Sequence, residues 1–397
     1  MTASDTSILL FDSSDPPQRV QKRHSSGDPD EYRPEPVPEP QAPVWRDGSV
    51  RIGIHTSIAG GFAGSLESAS KLGCNALQIF SASPRMWPRV GARIAEIDAA
   101  DFRAKRAELG LGPLVIHANY LINLASSDPV MRVRSIQAYH DEIVRGLALG
   151  ADYLVVHPGS CCGNTPGRDK TMAQAIRDVA QALRQAARGV RLCQKFGDLR
   201  DCRLRLLLEN TSGMGMAIGS RFEELKAIMD AAPELPLGVC LDTAHAFHAG
   251  YEIHTEAGLA QTIAALDRTV GLGRVAVLHV NDSKTPFASR VDRHEHIGRG
   301  HFGKGKSGLE AFRRILNHPS FSASAPGGRP GRAFLLETPI DAPGDDRRNV
   351  RRLWDLVGIP VKQAPRAQNG FSMMPRTRRT ARSNAKPSRK SALASKG

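Results

Sequence analysis

The chain has 397 residues, 41% of them hydrophobic, and carries a formal net charge of +14. It is long enough to bury a large core in one or two domains, and no apolar run approaches the roughly 20 residues of a membrane helix, so we expect no membrane partner. The first apolar run, Ile8 to Phe11, is too short and too acidic in its flanks for a secretion signal, and we expect a cytoplasmic protein.

The charge is distributed unevenly along the chain. Residues 1–48 carry a net charge of −4, residues 362–397 carry +10 without one acid, and the body between them carries +8. A basic body with a basic tail favours a polyanionic partner, nucleic acid first, although basic charge also serves solubility alone.

Both ends have compositions unlike that of a folded core. Residues 1–48 are rich in Pro, Asp and Glu, as in YRPEPVPEPQAPV, and predict a disordered acidic arm. Residues 362–397 include TRRTARSNAKPSRKSALASKG and predict a disordered basic tail. We therefore expect one folded domain over residues 49–361.

Short apolar runs alternate with amphipathic stretches throughout this domain. Each run has the continuous apolar character of a strand buried on both faces, and helical patterns such as VRSIQAYHDEIVRGLALG lie between the runs. Eight such units predict an α/β fold, a (β/α)8 TIM barrel, with a small insertion, a long polar loop and a flexible turn at residues 187–203, 281–306 and 322–332. The predicted strands are residues 51–55, 76–80, 114–117, 153–157, 204–209, 237–242, 275–279 and 333–337.

The last residues of the predicted strands share one chemistry. Seven of the eight are types that bind metal ions, and because the strand ends of a barrel meet at one rim, residues far apart in sequence converge on one pocket. A single His at a strand end is more often structural, but a run of seven argues for a metal site. In chain order the end residues are His55, Phe80, His117, His157, Glu209, Asp242, His279 and Glu337.

Two loops add further donors to this rim. Asp242 and His245 lie one helical turn apart in LDTAHAFHAG, and Asp292 and His294 lie two apart in RVDRHEHIGRGHFG, so each pair can face the same pocket. Carboxylate and imidazole donors suit Zn²⁺, with Mn²⁺ as a substitute, and the combined set is too large for one ion. We expect a cluster of two or three divalent cations, which can clamp a phosphodiester during hydrolysis.

The cysteines do not suggest a disulfide framework. They form no CxxC pair, and in a large chain without a secretion signal we expect them to be reduced and structural. The six are Cys74, Cys161, Cys162, Cys193, Cys202 and Cys240.

Six motifs carry a resemblance to a known family. They are HANYLINLAS, VVHPGS, LLENTSGMG, GVCLDTAHAFHAGY, LHVNDSKTPFASRVDRHEHIGRGHFG and LLETP, and they span roughly residues 51–340. Together they resemble endonuclease IV, the zinc-dependent apurinic/apyrimidinic endonuclease family. The resemblance implies three zinc ions per chain, the first held by His117, His157 and Glu209, the second by Glu209, Asp242, His279 and Glu337, and the third by His245, Asp292 and His294.

The resemblance also implies roles for single residues. Glu209 would be the catalytic residue that bridges two zincs beside a zinc-bound hydroxide. Arg85 in FSASPRMW would be inserted into DNA at the abasic site and Tyr120 would be a neighbouring contact, although the residues alone would favour ordinary packing or surface charge. Asn119 and Phe302 are departures from the family's motifs that bear on the fit to DNA.

Four other histidines near the motifs receive lesser roles. We expect His55 to support the ligands and His248 to pack in the pocket wall, whereas His296 and His301 orient the loop that follows His294.

We therefore expect a monomeric DNA-repair endonuclease, a hydrolase that binds double-stranded DNA containing abasic sites. It would cut the phosphodiester 5′ to the site, leave a 3′-hydroxyl and a 5′-deoxyribose phosphate, and trim blocked 3′ ends as a phosphodiesterase. One alternative is a sugar isomerase or epimerase on a similar barrel, which leaves His245, Asp292 and His294 unexplained. The other is a DNA-binding barrel without activity, which should have lost ligands. Metal content separates the three.

Overall fold

The computed structural model describes residues 50–161, 170–193, 202–322 and 332–357. The predicted acidic arm and basic tail lie outside these residues, as do the middle of the predicted insertion and most of the predicted turn at 322–332. The bounds 49–361 for the folded domain stay a prediction.

The described part of the chain contains a closed barrel of parallel strands. Eight of its strands form this barrel, in the spatial order β1-β10-β7-β6-β5-β4-β3-β2, and the two short ones, β8 and β9, pair antiparallel inside the predicted polar loop. The prediction of a TIM barrel is confirmed. The strands are β1 (Arg51–His55), β2 (Ala76–Phe80), β3 (Leu114–His117), β4 (Tyr153–Val156), β5 (Arg205–Glu209), β6 (Leu237–Asp242), β7 (Val275–His279), β8 (Asp282–Ser283), β9 (His294–Glu295) and β10 (Ala333–Leu336).

Helices surround the barrel and begin at recognisable signals. The helix after β3 starts at Pro129, and the carboxylate of Asp128 accepts hydrogen bonds from the first-turn N–H groups of Val130 and Met131 at 2.8 and 3.1 Å. The helices are α1 (Gly61–Lys71), α2 (Glu96–Glu108), α3 (Pro129–Ala148), α4 (Met172–Ala187), α5 (Phe222–Ala231), α6 (Thr243–Ala249), α7 (Glu256–Thr269), α8 (Gly305–Leu316), α9 (Pro319–Ser322) and α10 (Asp345–Val357). No helix among the described residues is long and apolar enough to cross a membrane.

Two apolar clusters explain why the strands are continuous hydrophobic runs. The larger cluster lies between the strands and the surrounding helices, and the smaller one fills the barrel interior. All six positions of β6 are buried, since alternate residues contribute to each cluster. Space between strands is tight at Gly53, where an added Cβ would lie 2.3 Å from the carbonyl oxygen of Ala76. Any larger residue there would push β1 away from β2.

Three details differ from the sequence-based expectation, the smallest being that β5 begins at Arg205 and not at residue 204. Strands β4 and β10 end one residue early, because their ladders with β5 and β1 end at Val156 and Leu336, so His157 and Glu337 follow the strands. The expectation that every cysteine is reduced is wrong for Cys193 and Cys202, which form a disulfide. These two residues also face each other in an antiparallel backbone bridge, a contact that their separation in sequence does not reveal.

Candidate metal centre

The rim formed by the carboxyl ends of the strands gathers the nine predicted ligands. Six of them end a strand or directly follow one, and the other three come from α6 and from the loop that contains β9. The arrangement follows from the parallel barrel, because every strand delivers its last side chain to the same end. The ligands at strand ends are His117, His157, Glu209, Asp242, His279 and Glu337, and the others are His245, Asp292 and His294.

Glu209 lies at the middle of the cluster and is fully buried. One carboxylate oxygen lies 2.9 Å from Nε2 of His157 and 3.2 Å from Nε2 of His117. The other lies 2.8 Å from Nδ1 of His279 and 3.4 Å from Nδ1 of His245. A single carboxylate therefore contacts imidazoles from four different elements.

A second set of donors lies around the Glu209 oxygen that contacts His279. The ligand atoms of Glu209, Asp242, His279 and Glu337 all lie within 4.8 Å of one another. Nδ1 of His279 is 3.2 Å from Glu337 and 4.0 Å from Asp242. In the barrel ladder Asp242 is paired directly with His279, which fixes their separation.

A third set lies toward the β9 loop. Asp292 places one oxygen 3.1 Å from Nε2 of His245 and the other 3.5 Å from Nε2 of His294. Asp242 also approaches this set, at 3.8 Å from Nε2 of His294. Asp242 therefore stands between the second and third sets, as Glu209 stands between the first and second.

These donors suit divalent cations. Within the described residues, Nε2 of His245 and Nε2 of His294 are buried and make no hydrogen bond, although both point at the carboxylate of Asp292. Buried polar atoms normally have hydrogen-bond partners. Imidazole nitrogens and carboxylate oxygens that face one another are the donors that Zn²⁺ and Mn²⁺ prefer. The residues present therefore fit a cluster of such ions.

Without metal, the carboxylates and imidazoles of the cluster shift one another's pKa values. Burial opposes ionisation of Glu209, but the surrounding imidazoles, His279 first, hold its pKa well below the ordinary value. Burial likewise lowers the pKa of His245 and His279, but nearby anionic groups outweigh it and raise both values well above the ordinary one. Asp292, although largely desolvated, has a lowered pKa because of His245. Glu209 and Asp292 are thus charged and share protons with these imidazoles, and a bound cation would displace those protons.

Polar residues that the sequence analysis missed hold the ligands in place. The amide of Gln78 donates to Glu337 at 2.6 Å and accepts from Nε2 of His279 at 2.8 Å. The amide of Asn281 donates to Asp242 at 2.6 Å and accepts from the N–H of Glu337 at 2.8 Å. Hydrogen bonds to the outer atoms of ligands fix their orientation. The available signal for Gln78 was its place two residues before the end of β2, on the face that points into the barrel.

Cys240 is a second residue that the sequence analysis did not connect with the site. Its thiol lies within 4.8 Å of the ligand atoms of Glu209 and His279. Burial raises the pKa of this thiol to about 12, so it is a protonated neighbour of the ligands at neutral pH. Alternation along β6 places Cys240 on the same face as Asp242, which was the signal available in the sequence.

The loop that delivers Asp292 and His294 is organised by a buried carboxylate. Asp282 accepts hydrogen bonds from the N–H groups of Gly298, Gly300 and Gly303 at 2.8 to 3.0 Å. Glycine is required at 303, since an added Cβ would lie 2.2 Å from the carboxylate oxygen.

The neighbouring histidines and Phe302 take supporting positions. His55 contacts Gln78 at 3.1 Å, and buried His248 bonds to the hydroxyl of Ser283. His296 bonds to Asp341 and Asn349 at 3.1 and 3.0 Å. His301 is exposed, whereas Phe302 is buried against Phe312 with ring centroids 4.6 Å apart, so Phe302 lies in the core and does not face a ligand.

The two predicted DNA contacts project from adjacent loops on the same rim. Arg85 is exposed in the loop after β2, and Tyr120 is 62% exposed in the loop after β3. The Tyr120 ring packs edge-on against Phe80 at 5.2 Å and lies 5.8 Å from the ring of His117. An exposed aromatic surface therefore lies directly beside a metal ligand.

Comparison with known proteins adds an independent line of observation. The family model described as "Xylose isomerase-like TIM barrel" matches residues 66–351. A "Probable endonuclease 4" from Solibacter usitatus is 45% identical over 78% of this chain and 97% of its own length. One from Methanosphaerula palustris is 38% identical over 78% of this chain and 98% of its own.

Solved structures show the same similarity. A crystal structure of endonuclease IV from Thermus thermophilus has a TM-score of 0.63 and 37% identity, covering 78% of this chain and 99% of that one. A D-tagatose 3-epimerase-like protein has a TM-score of 0.53 at 17% identity, covering 78% of this chain and 97% of that one, a likeness of fold alone.

Proposed function

The chain belongs to the endonuclease 4 family of TIM barrels, and from that premise we propose that it is a zinc-dependent DNA-repair endonuclease. It hydrolyses the phosphodiester on the 5′ side of an abasic site in double-stranded DNA and leaves a 3′-hydroxyl and a 5′-deoxyribose phosphate. Trimming of blocked 3′ ends by the same phosphodiesterase chemistry belongs to this proposal, as do a monomeric state and a cytoplasmic location.

One observation carries the proposal: nine carboxylate and imidazole donors form three adjoining sets at the rim. An isomerase with one or two ions leaves the third set without a role. A barrel that only binds DNA has no need for buried ligands, since phosphate contacts need only surface cations. The three sets are His117, His157 and Glu209; Glu209, Asp242, His279 and Glu337; and His245, Asp292 and His294.

We assign one zinc ion to each of these sets. Bound divalent ions supply positive charge that polarises a phosphodiester and activates water at neutral pH. Glu209 belongs to two sets, so its carboxylate fixes their separation, and Asp242, at 3.8 Å from Nε2 of His294, connects the second set to the third. Gln78 and Asn281 hold the carboxylates of Glu337 and Asp242 in one orientation through the bonds described above.

The exposures within the cluster indicate where the substrate enters. The side chains of His157 and Asp292 are each 35% exposed, whereas those of Glu209 and His279 are fully buried. The scissile phosphate would approach along the His157–Asp292 edge, with the buried side of the cluster closed to bulk water. Arg85 and Tyr120 would engage the duplex beside that edge, Arg85 by filling the gap left by the missing base.

The test is incision of a duplex oligonucleotide that carries one abasic analogue, with the protein as purified, after metal stripping, and after return of zinc. The proposal expects cleavage that disappears on stripping and returns with zinc. Glu209→Gln should fail under all three conditions, because the shared carboxylate is lost from two sets. Absence of cleavage by protein that contains its full complement of metal would contradict the proposal, and sugar phosphates would be the next substrates to test.

A further inference from the structure

The two DNA-facing residues of the proposed function stand on separate loops. Arg85 lies between β2 and α2, and Tyr120 lies between β3 and α3. Both side chains are exposed, and the ring of Tyr120 packs against Phe80 at the end of β2, where the loop that carries Arg85 begins. Two residues on separate loops bind one target tightly only when the distance between the loops is fixed beforehand, because ordering the loops during binding reduces the binding free energy.

Asn119 provides a direct connection between these loops. It precedes Tyr120 and is 3% exposed. Its Nδ2 donates to the carbonyl oxygen of Ser83 at 2.7 Å and to that of Met86 at 2.9 Å, so the two bonds flank Arg85. Its Oδ1 accepts from the N–H of Leu121 at 2.8 Å. The amide therefore uses its donors on one loop and its acceptor on the other.

The ends of the Arg85 loop are held independently, by α3. Nε of Arg145 donates to the hydroxyl of Ser81 at 2.8 Å, at the start of the loop. The carboxylate of Asp141 accepts from the N–H of Gly91 at 3.0 Å, near its end. Both α3 side chains are buried. With the ends held there, the bonds from Asn119 act on the tip of the loop, where Arg85 lies.

We propose that Asn119 is a positioning residue that joins the Arg85 and Tyr120 loops into one prebuilt surface for reading abasic DNA. The inference rests on the proposed function and adds a residue to it. Asn119 acts through the backbone of the Arg85 loop, so its loss should weaken engagement of the lesion and leave the chemistry at the metal cluster unchanged.

The matched control is Asn75, at the opposite end of the barrel. Its amide connects the start of β2 to the start of β1, donating to the carbonyl of Val50 at 2.9 Å and accepting from the N–H of Ile52 at 2.8 Å. Asn75→Ala therefore removes a comparable bridge without touching the rim. If Asn119→Ala does not fold, Asn119→Leu keeps the side-chain volume and removes the same hydrogen bonds.

Two readouts separate positioning from general damage. The first is the dissociation constant of the zinc-loaded protein for a duplex whose linkage 5′ to one abasic analogue cannot be hydrolysed, and the second is KM and kcat of the same protein on the hydrolysable duplex. Asn119→Ala should raise the dissociation constant and KM about ten-fold, the size expected when hydrogen bonds that order a loop are lost, and change kcat by less than about two-fold. Asn75→Ala should change none of these.

A double-mutant cycle with Arg85→Ala tests the route of the effect. Because Asn119 acts through Arg85, adding Asn119→Ala to Arg85→Ala should raise KM little further. Additive losses, an unchanged KM in Asn119→Ala, or an equal rise in Asn75→Ala would overturn the inference. If wild-type protein binds the abasic duplex in the expected pattern but does not cut it, the proposed chemistry fails and the positioning role stands.

Discussion

Gln78 offers the sharpest test of how the ligands are held, because it touches two of them without being a ligand. Replacement by Leu keeps its approximate size in a fully buried position. It removes the hydrogen bonds to Glu337 and His279 and the 3.1 Å contact with His55. The buried outer nitrogen of His279 and one oxygen of the partly buried Glu337 then lose these hydrogen-bond partners.

The structure sets the size of the effect. Each unsatisfied buried group costs about 1–3 kcal/mol, so the metal-free variant should lose about 2–4 kcal/mol of unfolding free energy. Loss of an outer hydrogen bond to a ligand typically lowers metal affinity about 10–100-fold, and we expect Gln78→Leu to fall in that range.

The assay is competition between the protein and a zinc chelator of known affinity, combined with urea unfolding of the metal-free protein. Thr262→Val is the control, since Thr262 is buried on α7 and donates to the carbonyl of Gly258 at 2.7 Å, away from the rim. It should lower stability by about 1 kcal/mol and leave zinc affinity unchanged. Equal zinc affinity in Gln78→Leu and wild type would refute the view that Gln78 orients the site.

Three further predictions follow from the charges and contacts of the chain. In metal-free protein, the lowered pKa values of Glu209 and Asp292 add stability above about pH 4 that is lost as the pH falls toward the folded-state pKa values, and the raised pKa values of His245 and His279 add stability below about pH 6.5 that is lost as the pH rises past their folded-state values. The urea midpoint of wild type should therefore exceed that of Glu209→Gln most between about pH 4.5 and 6.5. A difference that does not depend on pH would count against the proton sharing. Asp282→Ala should lower the unfolding free energy by about 3 kcal/mol and reduce zinc content, because three glycine N–H groups lose their acceptor and the loop that carries His294 loosens. Metal analysis of the folded variant checks this prediction, and full zinc content would contradict it. Removal of residues 362–397, which carry ten basic residues and no acid, should flatten the slope of log DNA affinity against log salt, and an unchanged slope would reject a role for the tail in binding.

The fold could be predicted closely because its pattern is local and repeated. Each buried strand is a short apolar run, and the predicted ends of β1, β2 and β3 agree with the structure. The ends of β4 and β10 could not be placed to the residue, because the last backbone pairing depends on neighbouring strands. The disulfide between Cys193 and Cys202 depends on their antiparallel pairing, which composition does not encode.

The candidate site divides along a similar line. Titratable residues at strand ends, such as Glu209 and Asp242, were found because a parallel barrel sends every strand end to one rim. Gln78 and Asn281 were missed, since a neutral amide gains its role only from the atoms it contacts. The connection that Asn119 makes to the Arg85 loop was invisible for the same reason: the two segments are more than thirty residues apart in sequence.

The position of the cut on abasic DNA is the decisive measurement for the proposed endonuclease activity. A duplex labelled at the 5′ end of the damaged strand is incubated with zinc-loaded protein, and the product is offered to a DNA polymerase. We predict one cut, immediately 5′ to the abasic analogue, with a product that the polymerase extends because it ends in a 3′-hydroxyl. A cut on the 3′ side, which leaves an end that cannot be extended, or no cut at all, would contradict it.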